Sequence, residues 1–426
     1  MQIIQMKLQK ILKRLQKLHP KEIDLSLNRI LNLCKKLGDP QNLYKSISVV
    51  GTNGKYSTIQ TMRAILNEAN IKCNIYISPH LQHINERFVY NNKEISDDDL
   101  VKLLLEIEEI NNGEPITYFE ILTAAFFYKA KNYKDNINII ESGLFHRYDA
   151  TNIIKKNLAS VITSIGLDHL DWLPKNERTL EKIIFEKTSK LLNSNIIIAK
   201  QNSKKTLNLI KNCLSKNKSN KKIYNENYSY SINENGFIYY EDELGGLKLP
   251  KPNVIGDFQI ENISTAIATL RKLKLNIDDN NIKNGITKIQ NTGRFQEIKY
   301  GKLKNLCMNN KIYVDGSHNE LGSKVLNEFL ETLNCNKHII IGMMANKNHE
   351  KYLAYFKNIS SITTIDIPNQ PNSIKGEDLK KKINRSNNVQ FKKSIQEAIS
   401  SCKLYENDII LITGSLYLAG EVLNLN

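Results

Sequence analysis

Between Ser46 and about Lys200 the chain repeats one pattern: a short apolar run rich in β-branched residues, a polar or glycine-containing stretch, then an amphipathic run. Ser46–Val50, Cys73–Ile77, Ile137–Glu141, Ala159–Thr163 and Asn195–Ala199 read as strands. Thr58–Asn70, Asp97–Ile110, Tyr118–Lys131 and Glu177–Leu191 read as helices. Such alternation predicts an α/β fold, a mostly parallel sheet with helices on both faces. Residues 222–250 break the pattern: Tyr-rich alternation and the Asn235-Gly236 turn predict a short antiparallel excursion, followed by a helix from about Ile260 to Leu273. After Thr292-Gly293-Arg294 the alternation resumes with strands Lys311–Asp315, His338–Ile341, Ser361–Asp366 and Asp408–Thr413 and helices near 320–333, 375–384 and 394–404. At 426 residues two domains are expected: a large P-loop-type domain over 1–295 and a smaller Rossmann-like α/β domain over 296–426.

The first strand runs straight into Gly51-Thr52-Asn53-Gly54-Lys55-Tyr56-Ser57-Thr58. Glycines let backbone approach a polyphosphate, and the helix that follows aims N–H groups at it. Lys55 offers a point charge for the outer phosphates, and Ser57 or Thr58 a hydroxyl for phosphate or a bound Mg²⁺. The spacing departs from the strict Walker pattern, because Val49 holds its first glycine position and Tyr56 separates Lys55 from Ser57.

Four more polar clusters follow strand ends: Ser78-Pro79-His80, Glu141, Gly166-Leu167-Asp168-His169 and Asp315-Gly316-Ser317-His318. Ligands of open α/β sheets bind beyond the carboxyl ends of strands, so five such clusters predict one composite site. A carboxylate, an imidazole, a hydroxyl and phosphate oxygens together suit Mg²⁺, which favours oxygen and retains water. Taken alone, Glu141 also suits a strand-end ion pair and His169 an ordinary hydrogen bond.

The formal charge of +16 raises the question of nucleic acid. Its lysines are dispersed, and the local runs 216–222 and 380–382 lack interleaved aromatics, so they read as solvated surface. Cys34, Cys73, Cys213, Cys307, Cys335 and Cys402 form no Cys-x-x-Cys pair and no zinc spacing, which fits a reducing cytoplasm. No apolar run approaches the ~20 residues of a membrane span. Residues 1–21 lack acids and place Leu8, Ile11, Leu12, Leu15 and Leu18 on one face, predicting an amphipathic helix rather than a transit peptide.

In order along the chain stand Gly51–Ser57, Ser78-Pro79-His80-Leu81, Asn85-Glu86-Arg87, Tyr118-Phe119-Glu120, Glu141-Ser142-Gly143-Leu144, Arg147–Asn152 and Thr163–His169. They continue through Glu186-Lys187, Gly256-x-x-Gln259-x-x-Asn262, Gly293–Gln296, Asp315–Asn319, Ile341–Met344 and Thr413–Tyr417. The series resembles the Mur-ligase family, and within it the folylpolyglutamate synthase/dihydrofolate synthase group of bifunctional bacterial type. Leu18-His19-Pro20-x-x-Ile23-Asp24-Leu25-Ser26-Leu27 is similar to the pterin-side segment of its bacterial members. The resemblance implies a monomeric, cytoplasmic ATP-dependent amide ligase that joins L-glutamate to dihydropteroate or a reduced folate through an acyl phosphate. It also implies ATP with Mg²⁺ as cofactors, as two ions, and room for a monovalent cation. It further implies nucleotide contacts from Gly51, Thr52, Asn53, Gly54, Lys55, Ser57, Thr58, Asn262, Arg294 and Asp315. Metal ligands would be Ser78, Glu141, His169 and a carbamylated Lys187. Lys55, Lys187 and His318 would be catalytic. Asp24, Ser26, Tyr118, Phe119, Glu120, Asp149, Thr151, Asn152 and, on the glutamate side, Ser415 would bind substrate.

Tyr56 and Phe145-His146 stand where the family carries glycine, Thr188-Ser189 where it carries Ala-Gly, and Ser317 and Glu320 where it carries Ala and Pro. Backbone angles open only to glycine would be strained at 56 and 145–146, which predicts a slower or less stable but active enzyme. A Mur-type ligase acting on a UDP-linked cell-wall precursor is the competing enzyme. Tyr118–Glu120, Arg147–Asn152 and the lack of a separate N-terminal nucleotide-sugar domain speak against it. A non-catalytic nucleotide-binding or RNA-associated protein is the competitor from another class.

Overall fold

The computed structural model describes residues 2–21, 24–307, 309–383 and 388–426, so Ile23 of the N-terminal motif and Asn384 of the expected 375–384 helix lie outside the described residues. The chain forms two compact units. The first comprises 1–165, 177–253 and 261–289, and the second 166–176, 254–260 and 290–426.

The first unit is built on eight strands: β1 (Ser46–Val50), β2 (Cys73–Tyr76), β3 (Phe88–Tyr90), β4 (Lys93–Glu94), β5 (Ile137–Glu141), β6 (Ala159–Ile162), β7 (Asn195–Ile198) and β8 (Asn220–Ile223). Their order is β4-β3-β2-β5-β1-β6-β7-β8. All pairings are parallel except β2–β3 and β3–β4. The five long strands match expectation to within one residue. The register sets Val49 beside Glu141 and Val50 beside Ile162, so the loop after β1 emerges between the ends of β5 and β6. Every residue of β1 and β5 is buried, Ser46, Ser48 and Asn138 included, which fits strands covered on both faces.

The helices of this unit include α1 (Gln2–Leu15), α2 (Asn28–Lys36), α3 (Lys55–Glu68), α4 (Asp97–Asn111), α5 (Tyr118–Ala130), α6 (Leu180–Thr188), α7 (Lys204–Cys213), α8 (Asp257–Lys272, from Glu261 onward) and α9 (Asp279–Ile286). Leu8, Ile11, Leu12 and Leu15 of α1 join Ile30 and Leu33 of α2 in a core with Leu100, Leu104, Phe126 and Phe127 of α4 and α5. The amphipathic first helix is therefore an integral part of the fold. Helix α5 is apolar nearly all round because it is buried nearly all round.

Strands β9 (Tyr228–Ile232), β10 (Ile238–Asp242) and β11 (Gly245–Leu249) make the antiparallel excursion, in the order β11-β10-β9. Lys222, expected on the surface, is buried instead: its ammonium lies 3.3 Å from Asp242 and 2.8 Å from Glu243. Asp242 also accepts from Arg271 Nη1 at 2.8 Å and from the Tyr240 hydroxyl at 2.9 Å. A lysine at the end of a basic run escapes the surface here because a buried carboxylate needs cations.

The second unit carries β12 (Gln296–Glu297), β13 (Lys311–Val314), β14 (Lys337–Ile341), β15 (Ser361–Ile365), β16 (Val389–Lys392) and β17 (Ile409–Thr413) in the order β12-β13-β17-β14-β15-β16. Only β12 is antiparallel to its neighbour. Its helices are α10 (Lys302–Asn305), α11 (Glu320–Glu331), α12 (His349–Ala354), α13 (Gly376–Lys381), α14 (Ile395–Ser400) and α15 (Leu416–Leu425). Phe295, Tyr313, Leu326, Ile339, Ile341, Tyr352, Phe356 and Leu411 form its core. Among the described residues no helix is long and apolar enough to cross a membrane.

Candidate active site

The loop after β1 is pinned before any ligand arrives. Thr52 and Asn53 donate their N–H groups to the Ser164 carbonyl at 2.9 and 3.1 Å, and Thr163 Oγ1 donates to Val50 at 3.2 Å. Gly51 (φ +150°) passes so close to Thr163 that a Cβ would lie 1.9 Å from its hydroxyl oxygen. Gly54 (φ +88°) turns the chain directly into α3, and a Cβ there would lie 2.4 Å from Asn262 Oδ1. Asn262 of α8 is thus packed against the loop. The early start of α3, three residues before Thr58, follows from this left-handed glycine. Tyr56 lies in the first turn of α3, and neither it nor Phe145 nor His146 has a positive φ. The expected backbone strain at these glycine replacements is absent: Tyr56 is helical, and Phe145 and His146 are simply buried.

Lys55 curls back over this loop, its Nζ 3.3 Å from the carbonyls of Gly51 and Thr52 and 3.6 Å from Glu141 Oε1. Glu141 Oε2 accepts the Ser78 N–H at 3.3 Å. The hydroxyl oxygens of Ser78 and Thr58 are buried with no hydrogen-bond partner among the described residues. Burying a hydroxyl without a partner is costly, so orphaned hydroxyls on Thr58, at the phosphate loop, and on Ser78, beside Glu141, fit a bound cation and phosphate. Among the described residues no three His, Cys, Asp or Glu side chains cluster as a metal cage. Magnesium held largely by phosphate, with one carboxylate and a hydroxyl, needs none.

Lys187 Nζ donates to the carbonyls of Gly51 at 2.9 Å and Leu144 at 2.8 Å and lies 5.6 Å from the centre of the Phe145 ring. A glutamate–lysine pair on a helix looks like surface; this lysine is only 3% exposed and touches the loop. His146, next to Phe145, is buried, and burial followed by the charge of Lys187 holds its pKa down at about 4.

Two of the residues expected at the acid substrate, Phe119 and Asp149, meet at one glycine. A Cβ on Gly143 would lie 3.1 Å from the Phe119 ring, 3.3 Å from Asp149 Oδ2 and 3.3 Å from Ser78 Oγ. Phe119 stacks on Tyr76 at 6.1 Å. Asp149 accepts from the N–H groups of Gly143, Leu144 and Thr151 and from Thr151 Oγ1, at 2.9, 3.2, 3.0 and 2.6 Å. It is the organiser of the 143–151 loop, with burial raising its pKa against those bonds. Asn152 steadies the same loop through the Arg147 carbonyl at 3.3 Å. Glu120 caps Thr117 N–H at 2.8 Å and pairs with Arg29 Nε at 2.9 Å. Arg29 also grips Asp24 Oδ2 at 2.9 Å. The Asp24 segment is thereby tied to α5, and Ser26 receives the Asn28 N–H at 3.3 Å at the head of α2. Arg29 escaped sequence reading because an arginine inside a helix carries no motif. Tyr118 is half-buried at the head of α5.

In the second unit, Asp315 at the end of β13 accepts from the N–H groups of Phe295 at 2.8 Å and Ser317 at 2.7 Å. It thereby fixes the backbone beside Arg294, whose Nη1 donates to Gly293 at 3.1 Å. Gly316 lies against that guanidinium. His318 Nδ1 is 2.9 Å from the Gly316 carbonyl. Ser415 Oγ caps α15 through the Tyr417 N–H at 3.1 Å. His169 belongs to this unit, in the left-handed conformation after Asp168. The residue beside it, named in the same strand-end cluster but given no role of its own there, is the hub. Asp168 accepts from Lys347 Nζ at 2.7 Å and Asn319 Nδ2 at 3.1 Å, with His318 Nε2 at 3.6 Å and His169 Nε2 at 3.8 Å. Burial opposes its ionisation, but the two imidazoles and Lys347 override this and hold its pKa well below the usual carboxylate range. Lys347 follows β14 closely, and its position after a strand end was the available signal.

A glycine-bearing phosphate loop with its lysine, an acid and orphaned hydroxyls, joined in one chain to a second α/β unit, defines an ATP-dependent ligase of the Mur type. The family described as "Mur ligase, glutamate ligase domain" matches residues 293–416. The dihydrofolate synthase/folylpolyglutamate synthase of Escherichia coli is 30% identical over 353 residues, covering 81% of this chain and 78% of that protein. The structure of E. coli FolC in complex with DHPP and ADP is similar with a TM-score of 0.86 at 28% identity, over 98% of this chain and 97% of that one. The Yersinia pestis bifunctional enzyme complexed with AMPPNP and Mn ion gives a TM-score of 0.85 at 25% identity, over 98% and 97%. The chain belongs to the dihydrofolate synthase/folylpolyglutamate synthase family. It is accordingly a ligase that forms carbon–nitrogen bonds.

Proposed function

We propose that this chain uses ATP to activate the carboxylate of dihydropteroate or of a reduced folate and joins it to the amino group of L-glutamate, releasing ADP and phosphate. The observation that carries the reading is the meeting, around Gly143, of Ser78 from the cation-binding group with Phe119 and Asp149 from the acid-substrate group. The carboxylate to be activated and the phosphate loop then share one place, as phosphoryl transfer to an acid demands.

The residues divide the work by their chemistry. Gly51, Thr52, Asn53 and Gly54 offer backbone to the phosphates, Ser57 and Thr58 their hydroxyls, and Asn262 packs against the loop. Lys55 neutralises charge as the γ-phosphoryl group leaves, and two anions meeting require such a cation. Mg²⁺ would supply further neutralisation of the phosphates when bound, with Ser78 and Glu141 as its proposed holders, and His169 is a separate candidate metal ligand. Lys187 is proposed as the site at which CO₂ adds to give the anion for a second ion, and a carbamate signal with ¹³C-bicarbonate tests this. Tyr118, Phe119, Asp149, Thr151 and Asn152 form the pterin side, where Asp24, Ser26 and Glu120 act through the Arg29 brace. Arg294 and Asp315 serve the nucleotide from residues 296–426 and their junction. His318 and Ser415 serve glutamate. The expected setting is a cytoplasmic monomer with no nucleic-acid or membrane partner.

Glutamate-dependent ADP release, measured with dihydropteroate and with tetrahydrofolate in turn, tests the reading. Release with neither acceptor, but with a UDP-linked cell-wall precursor, would replace it with the other Mur-type reaction.

A further inference from the structure

The Asn85-Glu86-Arg87 motif has no role in the chemistry above, and its arginine has an unusual environment. Arg87 ends the short turn Ile84–Arg87 and leads into β3, which runs antiparallel to β2, so it sits beside the carboxyl end of β2. Ser78 follows that same strand end. Arg87 is only 8% exposed. Among the described residues its guanidinium makes one hydrogen bond, Nε to His80 Nδ1 at 2.9 Å, and has no carboxylate within 4.0 Å.

The partner is no counterion. Arg87 Nε–H donates to His80 Nδ1, so that ring nitrogen carries no proton and the imidazole accepts as a neutral group. The nearby acids are committed elsewhere. Glu86 accepts the N–H groups of Leu81, Gln82 and His83 at 2.7, 2.8 and 2.9 Å. Asp149 holds the 143–151 loop, Glu120 holds Arg29, and Glu141 faces Lys55 and Ser78. A guanidinium removed from water without an anion is costly, and a fold retains one where an anion arrives later. Phe88, next to Arg87, pairs with Tyr76 across β2 and β3, and Tyr76 stacks on Phe119. The cation therefore lies at the acid-substrate side of the first unit.

We propose that Arg87 binds a carboxylate of the acid substrate, with His80 fixing the plane of the guanidinium so that its terminal N–H groups face the ligand. This deepens the proposed function and rests on it. A planar fork suits a carboxylate, and a neutral histidine on Nε leaves the two terminal nitrogens for it.

The test compares two ligands on the full chain by titration calorimetry: dihydropteroate, and the same pterin–aniline molecule lacking the carboxylate. Wild type should prefer the carboxylate form. Arg87→Gln should weaken dihydropteroate about 10- to 100-fold, the range for a hydrogen bond to a charged group, and leave the decarboxylated ligand within about twofold. Arg87→Lys, which keeps the charge but loses the fork, should fall between, and guards against loss of folding in the first variant. Equal weakening of both ligands, or of neither, overturns the assignment while the folate reading stands. Failure of wild type to bind either ligand overturns both.

Discussion

Removing the carboxylate of Asp168 should cost the second unit far more than a surface ion pair would. Asp168→Asn withdraws a buried charge from Lys347 at 2.7 Å and from two imidazoles within 3.8 Å, and turns a new N–H donor toward the Asn319 amide and Lys347. Breaking a buried pair from one side typically costs about 3–5 kcal/mol. The Lys347 side chain is 15% exposed and recovers some hydration, which places the expected loss near the lower end, about 3 kcal/mol. Lys347→Met should cost less, because Asp168 keeps Asn319 and the His169 N–H at 2.9 Å. The double variant should then regain part of the loss. Urea unfolding of the four proteins closes a double-mutant cycle, and a coupling above about 1 kcal/mol is expected. Additivity within about 0.5 kcal/mol would refute the hub. The same Asp168→Asn protein should show a raised KM for glutamate, since His318 loses its neighbour, with nucleotide affinity nearly unchanged. A loss confined to nucleotide affinity would contradict that placement.

Gly54→Ala forces a side chain into a left-handed φ of +88° and toward Asn262 Oδ1, so it should cost about 1–2 kcal/mol for the backbone alone and weaken ATP binding. Gly54→Ala/Asn262→Ala should relieve only the steric part, and isothermal titration with an ATP analogue checks both. Glu141→Gln leaves the Ser78 N–H an acceptor but removes the charge beside Lys55; ATP turnover should fall by at least tenfold and need more Mg²⁺. A Mg²⁺ requirement identical to wild type would speak against Glu141 as a cation holder. His146 is neutral when folded, with a pKa near 4 against about 6.5 unfolded, so the unfolded chain takes up the proton first. Its contribution is whole above pH 6.5 and lost as pH falls from there toward 4, by about 1.4 kcal/mol per pH unit. His146→Asn should flatten that part of the stability profile.

The strand runs were readable because β1 and β5 are buried on both faces, so apolar β-branched residues dominate them and even Ser48 and Asn138 are buried. Strands β3, β4 and β12 escaped because they are only two or three residues long, and the edge strands β8 and β16 because Asn220-Lys221-Lys222 and Gln390 interrupt the apolar pattern. Short strands draw their stability from neighbours rather than from their own pattern. Within the site, Lys55, Ser78 and Glu141 were legible because each follows a strand end or opens a helix. Arg29 and Lys347 were not, and Asp168 only as a member of its strand-end cluster, since their importance lies in contacts spanning 91 and 179 residues of chain. The fear of strain at Tyr56, Phe145 and His146 treated a glycine in a family pattern as a demand for its backbone angles. Here the angles are ordinary, and the side chains had only to find space.

The most direct measurement is phosphate release by the purified chain with ATP and Mg²⁺, with and without glutamate, in the presence of dihydropteroate, tetrahydrofolate or a UDP-linked cell-wall precursor. The account predicts glutamate-dependent release with at least one of the two pteridine acids, matched mole for mole by the glutamylated product, and none with the precursor. Release that ignores both pteridine acids, or continues unchanged without glutamate and yields no amide, would contradict it.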